Sequence, residues 1–243
     1  MPITEKSSAG LAGPVRSAGR FAPGVPVIDP VKMLRIHGYR DLEKVRPVIR
    51  KAADDIAVRA AGVMSPVIHF KRVGVAACTK THLHLDNGLT FSNQAFARYL
   101  SEAAEVIAVV ITVGKGLDDE VIGCMDRFEP LEALFLETAG WLGIEWTTKK
   151  FVEYMAAEIA DEDLRVTRRM GPGYSYKIDG DEAMWSLEEQ RQLFEIFEGV
   201  DLPVRLLESC AMMPKMSRSG LYGLVSGKFV EHGGPRQGSS SKG

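Results

Sequence analysis

The sequence has no uninterrupted apolar run of about 18 residues, the length a helix needs to cross a bilayer, so no membrane span is expected. Cysteine is scarce. Cys78, Cys124 and Cys210 are widely spaced, none belongs to a Cys-x-x-Cys pair, and their odd number argues against a disulfide framework. They also fall short of the thiolate set that an iron–sulfur cluster ordinarily takes. The simplest reading is reduced thiols in a cytoplasmic protein. An excess of positive charge is missing as well: 30 Lys and Arg against 32 Asp and Glu leave a net charge of −2. That balance gives no reason to expect a nucleic-acid partner, which usually meets a basic face. The N-terminus lacks the apolar core of a signal peptide, and no internal repeat is visible.

What remains is an ordinary soluble composition, 45% hydrophobic and 26% charged over 243 residues, enough for one large domain or two small ones. Residues 1–27 are rich in Gly, Ala, Ser and Pro and read as a disordered tail, and the polar, glycine-rich stretch 231–243 reads as a second. Residues 28–230 then form one folded unit with no clear linker inside it.

Within that unit, Pro47 suits the first turn of a helix, followed at helical spacing by Val48, Ile49, Ala52, Ile56 and Ala60, with Gly62 near its end. Residues 67–91 alternate as strands do, and Asn87-Gly88 is a strong hairpin signal. Ser92 is a candidate cap for a helix carrying Phe96, Tyr99, Leu100 and Ala103. Val106 to Val113 is a continuous β-branched apolar run, which predicts a strand buried on both faces. A short helix with Val121, Ile122 and Met125 follows. Pro130 then opens the longest helix, reaching about Ala160, with Leu131, Leu134, Phe135 and Leu142 on its stripe. Gly140 and Gly143 inside it predict close approach of another backbone. Ser186-Leu187-Glu188-Glu189 reads as a capping box before a helix burying Leu187, Phe194 and Phe197. The region 204–213 and Leu221 to Val225 read as further strands. Without regular βαβ alternation, the class is α+β, a mixed, largely antiparallel sheet packed with helices including one long helix.

Several local patterns suggest chemistry. His82 and His84 lie two apart on a strand with Asp86 on the same side, a possible metal pair, but the spacing equally suits the solvent face of a hairpin, and no metal site is assigned. Gly114-Lys115-Gly116 joins a strand to a helix, but it completes no phosphate-loop fingerprint, and Asp118 and Asp119 would repel phosphate. Cys210 reads as a buried strand residue. More is concentrated in Arg169 to Tyr174. Pro172-Gly173 is a turn signal, with proline presetting φ and glycine accepting positive φ. Arg169 offers a planar fork for a carboxylate, and Tyr174 and Tyr222 offer flat faces for a ring or a cation. The set suits a small zwitterion carrying a heterocycle. It suits a structural turn with Arg169 in a salt bridge as well.

Two segments, Arg169 to Tyr174 and Leu207 to Tyr222, resemble the signature of the S-adenosylmethionine-binding activation (reactivation) domain of cobalamin-dependent methionine synthase. That pattern reads Arg-Pro-Ala-Pro-Gly-Tyr-Pro, then Thr-Glu-Ser-x-Ala-Met-x-Pro, then Ser-Val-Ser-Gly-Trp-Tyr. The chain keeps Arg169, Pro172-Gly173-Tyr174, Glu208-Ser209, Ala211-Met212, Pro214, Ser217, Ser219-Gly220 and Tyr222. It differs at Met170, Gly171, Ser175 and Leu221. The resemblance implies S-adenosylmethionine as ligand, bound through Arg169, Gly171, Pro172, Gly173, Tyr174, Glu208, Ser209 and Tyr222, with no catalytic acid or base. It further implies that cobalamin is carried by a separate methyltransferase subunit, since the chain has no Asp-x-His-x-x-Gly corrinoid motif. A low-potential donor of flavodoxin or ferredoxin type would supply the electron for reductive methylation. On this reading the chain is a stand-alone activation subunit in methionine biosynthesis. The alternative is a reactivation or docking partner of a corrinoid protein in another methyl-transfer or demethylation pathway, with no S-adenosylmethionine binding of its own.

Overall fold

The apolar run at 106–113 becomes the strand around which a sheet is assembled. The computed structural model describes residues 18–228. Their elements follow as β1 (Gly19–Phe21), α1 (Pro30–Ile36), α2 (Pro47–Val63), β2 (Val67–Cys78), β3 (His82–Leu85), β4 (Thr90–Ser92), α3 (Phe96–Tyr99), β5 (Glu105–Thr112) and α4 (Gly116–Asp126). Then come α5 (Pro130–Glu158), β6 (Leu164–Val166), β7 (Ser175–Ile178), β8 (Asp181–Met184), α6 (Gln190–Glu195), β9 (Arg205–Leu206), β10 (Met212–Met213) and β11 (Ser217–Ser226). The main sheet runs β4-β3-β2-β5-β11-β6, with β1 added along the first half of β2. Each of its pairings is antiparallel. The fold is α+β, as the sequence predicts.

Period-two alternation in β5 divides the core. Ile107, Val109 and Ile111 face a layer built from α1, α2, α4 and α5. Val106, Ala108 and Val110 face a second cluster containing Phe96, Trp185, Leu193 and Phe197. In β11 the same alternation sends Tyr222 and Leu224 to the helical layer and Leu221 and Val225 to the other. The second layer is organised by Trp185, whose ring meets Phe96 at 5.0 Å and Phe91 at 5.7 Å, both edge to face.

Some local expectations change. Residues 19–21 form a strand paired with Ile68 to Phe70 rather than part of a tail, because the edge of β2 offers unpaired backbone groups there. The expected tails at 1–17 and 231–243 lie outside the described residues. Ser92 ends β4 and is not a cap; Asn93 Oδ1 takes the N–H of Ala95 instead, at 2.8 Å. In α4 the buried residues are Leu117 and Cys124, and Ile122 and Met125 are exposed. Leu134 and Leu187 are also largely exposed. The capping box is half formed. Ser186 Oγ accepts from Glu188 N at 3.2 Å, but the Glu189 carboxylate serves the Trp185 indole N–H and the Ser92 backbone N–H. A buried indole donor has no water to turn to, whereas an exposed helix end does. Cys210 is buried but sits in a turn at φ +63°, not in a strand.

The glycines of α5 answer to side chains rather than to a backbone. A methyl group at Gly140 would overlap Leu117 and come within 2.8 Å of Met216 Cγ, and one at Gly143 would lie 2.6 Å from Met64 Sδ. Overpacking a tight site usually costs about 1–3 kcal/mol. Gly140→Val is expected to lower stability by about that amount, because it wedges α5 away from Leu117 of α4 and from Met216; urea unfolding followed by circular dichroism measures it.

Candidate functional site

The turn anticipated at Pro172-Gly173 is present. Tyr174 N–H donates to Gly171 O at 3.3 Å, and Gly173 has φ +82°, the third-position geometry of a type II turn. Three sets of hydrogen bonds fix it. Gly173 N–H donates to Trp185 O (2.8 Å), and Trp185 N–H donates back to Tyr174 O (3.0 Å). Gly171 N–H donates to the Tyr176 hydroxyl (2.7 Å), which donates in turn to Gly171 O (3.3 Å). Met170 and Leu221 exchange backbone hydrogen bonds at 2.9 and 2.7 Å, which lays the segment along β11.

Arg169 and Tyr174 meet across this turn, with the guanidinium carbon 4.7 Å from the ring centroid. One guanidinium nitrogen, Nη1, donates to Ser219 O of β11. Tyr174 is 46% exposed, so one side of its ring remains open. Gly171 is small for a local reason: a Cβ there would run into Arg169 Nη1 and lie 2.9 Å from Ser219 O.

The second motif segment forms a turn between β9 and β10. Leu207 N–H donates to Ala211 O (2.9 Å) and Cys210 N–H to Leu207 O (3.0 Å). Glu208 and Ser209 are exposed on this turn. Ser209 Oγ accepts from Ala211 N at 3.4 Å, and Arg191 donates to Glu208 O. The Glu208 carboxylate makes no ion pair among the described residues.

Gln190, unremarked in the sequence, ties together two parts of the second segment, the Cys210 turn and Ser219 of β11. Its side-chain Nε2 donates to Cys210 O (2.8 Å), and its Oε1 accepts from Ser219 Oγ (2.7 Å). Gln190 and Ser219 are both buried. The chain thus runs Arg169 to Ser219 to Gln190 to the Glu208–Cys210 turn. A second pair missed from sequence is Arg218 with Glu145 of α5, at 2.6 Å. Neither signal was legible, because an amide and a mid-helix glutamate carry no local pattern.

Tyr222 departs most from expectation. Only 1% of it is exposed, and its ring packs in the helical layer, 5.9 Å from Phe151. It therefore presents no open face for stacking. Its hydroxyl is buried and has no hydrogen-bond partner among the described residues. Burial pushes its pKa up to about 12, with the positive charges of Arg169 and Arg218 working against that rise and Glu145 adding to it. An unpaired buried hydroxyl under the influence of those charges marks a polar spot in the helical layer.

The other signals lie elsewhere. His82 and His84 stack with centroids 5.9 Å apart on β3, bonded to Thr81 and Thr90. Among the described residues no group of three His, Cys, Asp or Glu is placed to hold a metal ion. In the first turn of α4, Asp118 accepts from Lys215 N (2.8 Å), and Asp119 pairs with Lys115. No described helix is long and apolar enough to cross a membrane.

Comparison with known proteins adds one kind of support. No protein-family description and no curated sequence matches the chain. Among solved structures, the crystal structure of the MetH reactivation domain bound to AdoHcy matches with a TM-score of 0.57 at 14% identity, covering 85% of this chain and 78% of that one. The chain shares that domain's fold.

Two outcomes follow from the geometry. Gln190→Ala leaves a buried hydroxyl and a buried carbonyl without their partner, so unfolding free energy should fall by about 1–3 kcal/mol in urea titration at neutral pH. For Tyr222 the folded state holds a proton that the unfolded state releases from pH 10 upward, so stability is full below about 10 and lost as pH rises toward 12. Tyr222→Phe should shrink that alkaline loss in melting curves and leave stability near neutral pH equal or higher, since it removes an unpaired buried hydroxyl.

Proposed function

We propose that this protein is an S-adenosylmethionine-binding activation subunit that supports reductive methylation of cobalamin carried by a separate methyltransferase. The observation that carries the reading is Arg169, held by Tyr174 and Ser219 at the rim of the Pro172-Gly173 turn. Two separated motif segments meet there, through the Arg169–Ser219 hydrogen bond and the paired backbone hydrogen bonds of Met170 and Leu221. The shared fold with a reactivation domain that binds AdoHcy supports it further.

The residues fit the ligand's chemistry. The structure records one hydrogen bond from the Arg169 guanidinium, leaving the rest of the fork for a carboxylate. Gly173, with no side chain and positive φ, lets the ligand approach the backbone beside Pro172. Tyr174, half-exposed, offers its open face to the adenine ring or the sulfonium. Glu208, exposed on its turn and without an ion pair among the described residues, is free to take the ligand's ammonium, whereas Glu145 is paired with Arg218. When bound, S-adenosylmethionine supplies an electrophilic methyl group. The chain's part is to orient that methyl toward the partner's cofactor, a task of positioning that calls for no acid or base.

A second reading is a docking partner of a corrinoid protein that does not itself bind S-adenosylmethionine. The observation in its favour is that Arg169 already has a carbonyl and a ring to hold it, so the segment also stands as a structural clamp.

Calorimetric titration of the full chain with S-adenosylmethionine separates the two. The expected result is saturable binding that Arg169→Ala weakens by about fivefold or more, roughly 1 kcal/mol. Absence of binding to the folded protein up to about 1 mM, alone and with a corrinoid protein added, would overturn the first reading in favour of the second.

A further inference from the structure

Tyr176, whose hydroxyl holds Gly171, also lines an open cavity. Successive side chains of an extended segment point to opposite sides. Accordingly Arg169 lies over Tyr174, while Arg168 lies with Tyr99 and Tyr176, its guanidinium carbon 5.1 and 5.7 Å from their centroids. Arg98 reaches the same Tyr99 ring from α3, at 5.6 Å. Arg98, Tyr99, Arg168 and Tyr176, with Lys177 and Asp179, line this cavity of about 530 Å³.

Its charge is unbalanced. Arg72 is matched by Glu105 and Glu162, Arg127 by Glu129, and Arg218 by Glu145. Among the described residues neither Arg98 nor Arg168 has a carboxylate at ion-pair distance. Arg98 Nη1 donates to Lys177 O (3.1 Å) and Arg168 Nη1 to the Tyr99 hydroxyl (3.4 Å), while Arg98 Nε is buried with no partner. Two guanidinium groups against one ring repel each other. Lys177 adds a third positive charge, and Asp179 is the single carboxylate residue in the lining. A chain of net charge −2 has no general basic surface of which this would be a chance sample.

Guanidinium planes held by aromatic rings keep their donors in a fixed fork, the geometry that bidentate oxyanion recognition uses. One fork satisfies a carboxylate; two forks and an ammonium suit a tetrahedral group of higher charge. The volume is in the range of small-molecule sites. We propose that this cavity binds a phosphate or diphosphate group of a small ligand, with Arg98 and Arg168 as the forked donors and Lys177 adding charge.

The test is a titration of the full chain with inorganic pyrophosphate, followed by backbone amide chemical shifts, beside Arg98→Gln and Arg168→Gln. No S-adenosylmethionine is present, so the outcome is independent of the preceding titration. Saturable shifts centred on Arg98, Tyr99, Arg168 and Tyr176, with each variant binding about fivefold or more weakly, would support the proposal. If a variant fails to fold, the location of the shifts in the unmodified chain decides. No saturation by about 10 mM, shifts centred elsewhere, or unchanged affinity in folded variants would overturn it. So would a hexaglutamate peptide that binds here when pyrophosphate does not, which would make the cavity a contact for acidic protein segments.

Discussion

Burial of β5 on both faces is the constraint from which the rest of the architecture follows. A strand made of Val106, Ile107, Ala108, Val109, Val110 and Ile111 has no side that water can take. It therefore needs a strand on each edge and a layer on each face. The edges are closed by β2 and β11 over their length. One face is closed by helices, chiefly α5, which comes close only because Gly140 and Gly143 leave room for Leu117, Met216 and Met64. The other is closed by short elements gathered on Trp185. Because β11 must lie against β5, Ser219 and Tyr222 are placed before any ligand is considered.

The candidate site is built from the consequences of that placement. Ser219 offers its carbonyl to Arg169 and its hydroxyl to Gln190, so one strand residue connects the Pro-Gly turn to the Cys210 turn. Most of the contacts that shape it are backbone groups, which makes it tolerant of side-chain change and demanding of glycine and of buried hydrogen-bond partners. Met170 and Leu221, where the chain departs from the motif it resembles, meet each other through paired backbone hydrogen bonds. Arg168 and Arg169 then divide the segment between two environments, one rimmed by Tyr174 and one by Tyr99 and Tyr176.

Much of the fold was legible, because it rests on local and periodic signals. Pro47 and Pro130 open their helices, Asn87-Gly88 turns between β3 and β4, and the run at 106–113 is a strand covered on both sides. Local rules failed where a distant group competed for the same atom. Glu189 left its capping role for the Trp185 indole and the Ser92 amide. Residues 19–21 gained a partner in β2 that composition does not announce. Ile122 and Met125 sit at helical spacing but on a face of α4 that is exposed among the described residues.

By itself the sequence determined the turn at Pro172-Gly173, since φ preferences are properties of single residues, and it singled out Arg169 and Tyr174 beside it. It also determined the α+β class, since periodicity is written into the order of apolar residues. Only the tertiary structure decided that Tyr222 turns its ring into the core, because a strand side chain's face depends on which layer its neighbours fill. It alone decided that Gln190 ties the Cys210 turn to Ser219 and that Glu145 meets Arg218, because those partners are separated by tens of residues and nothing local encodes their approach.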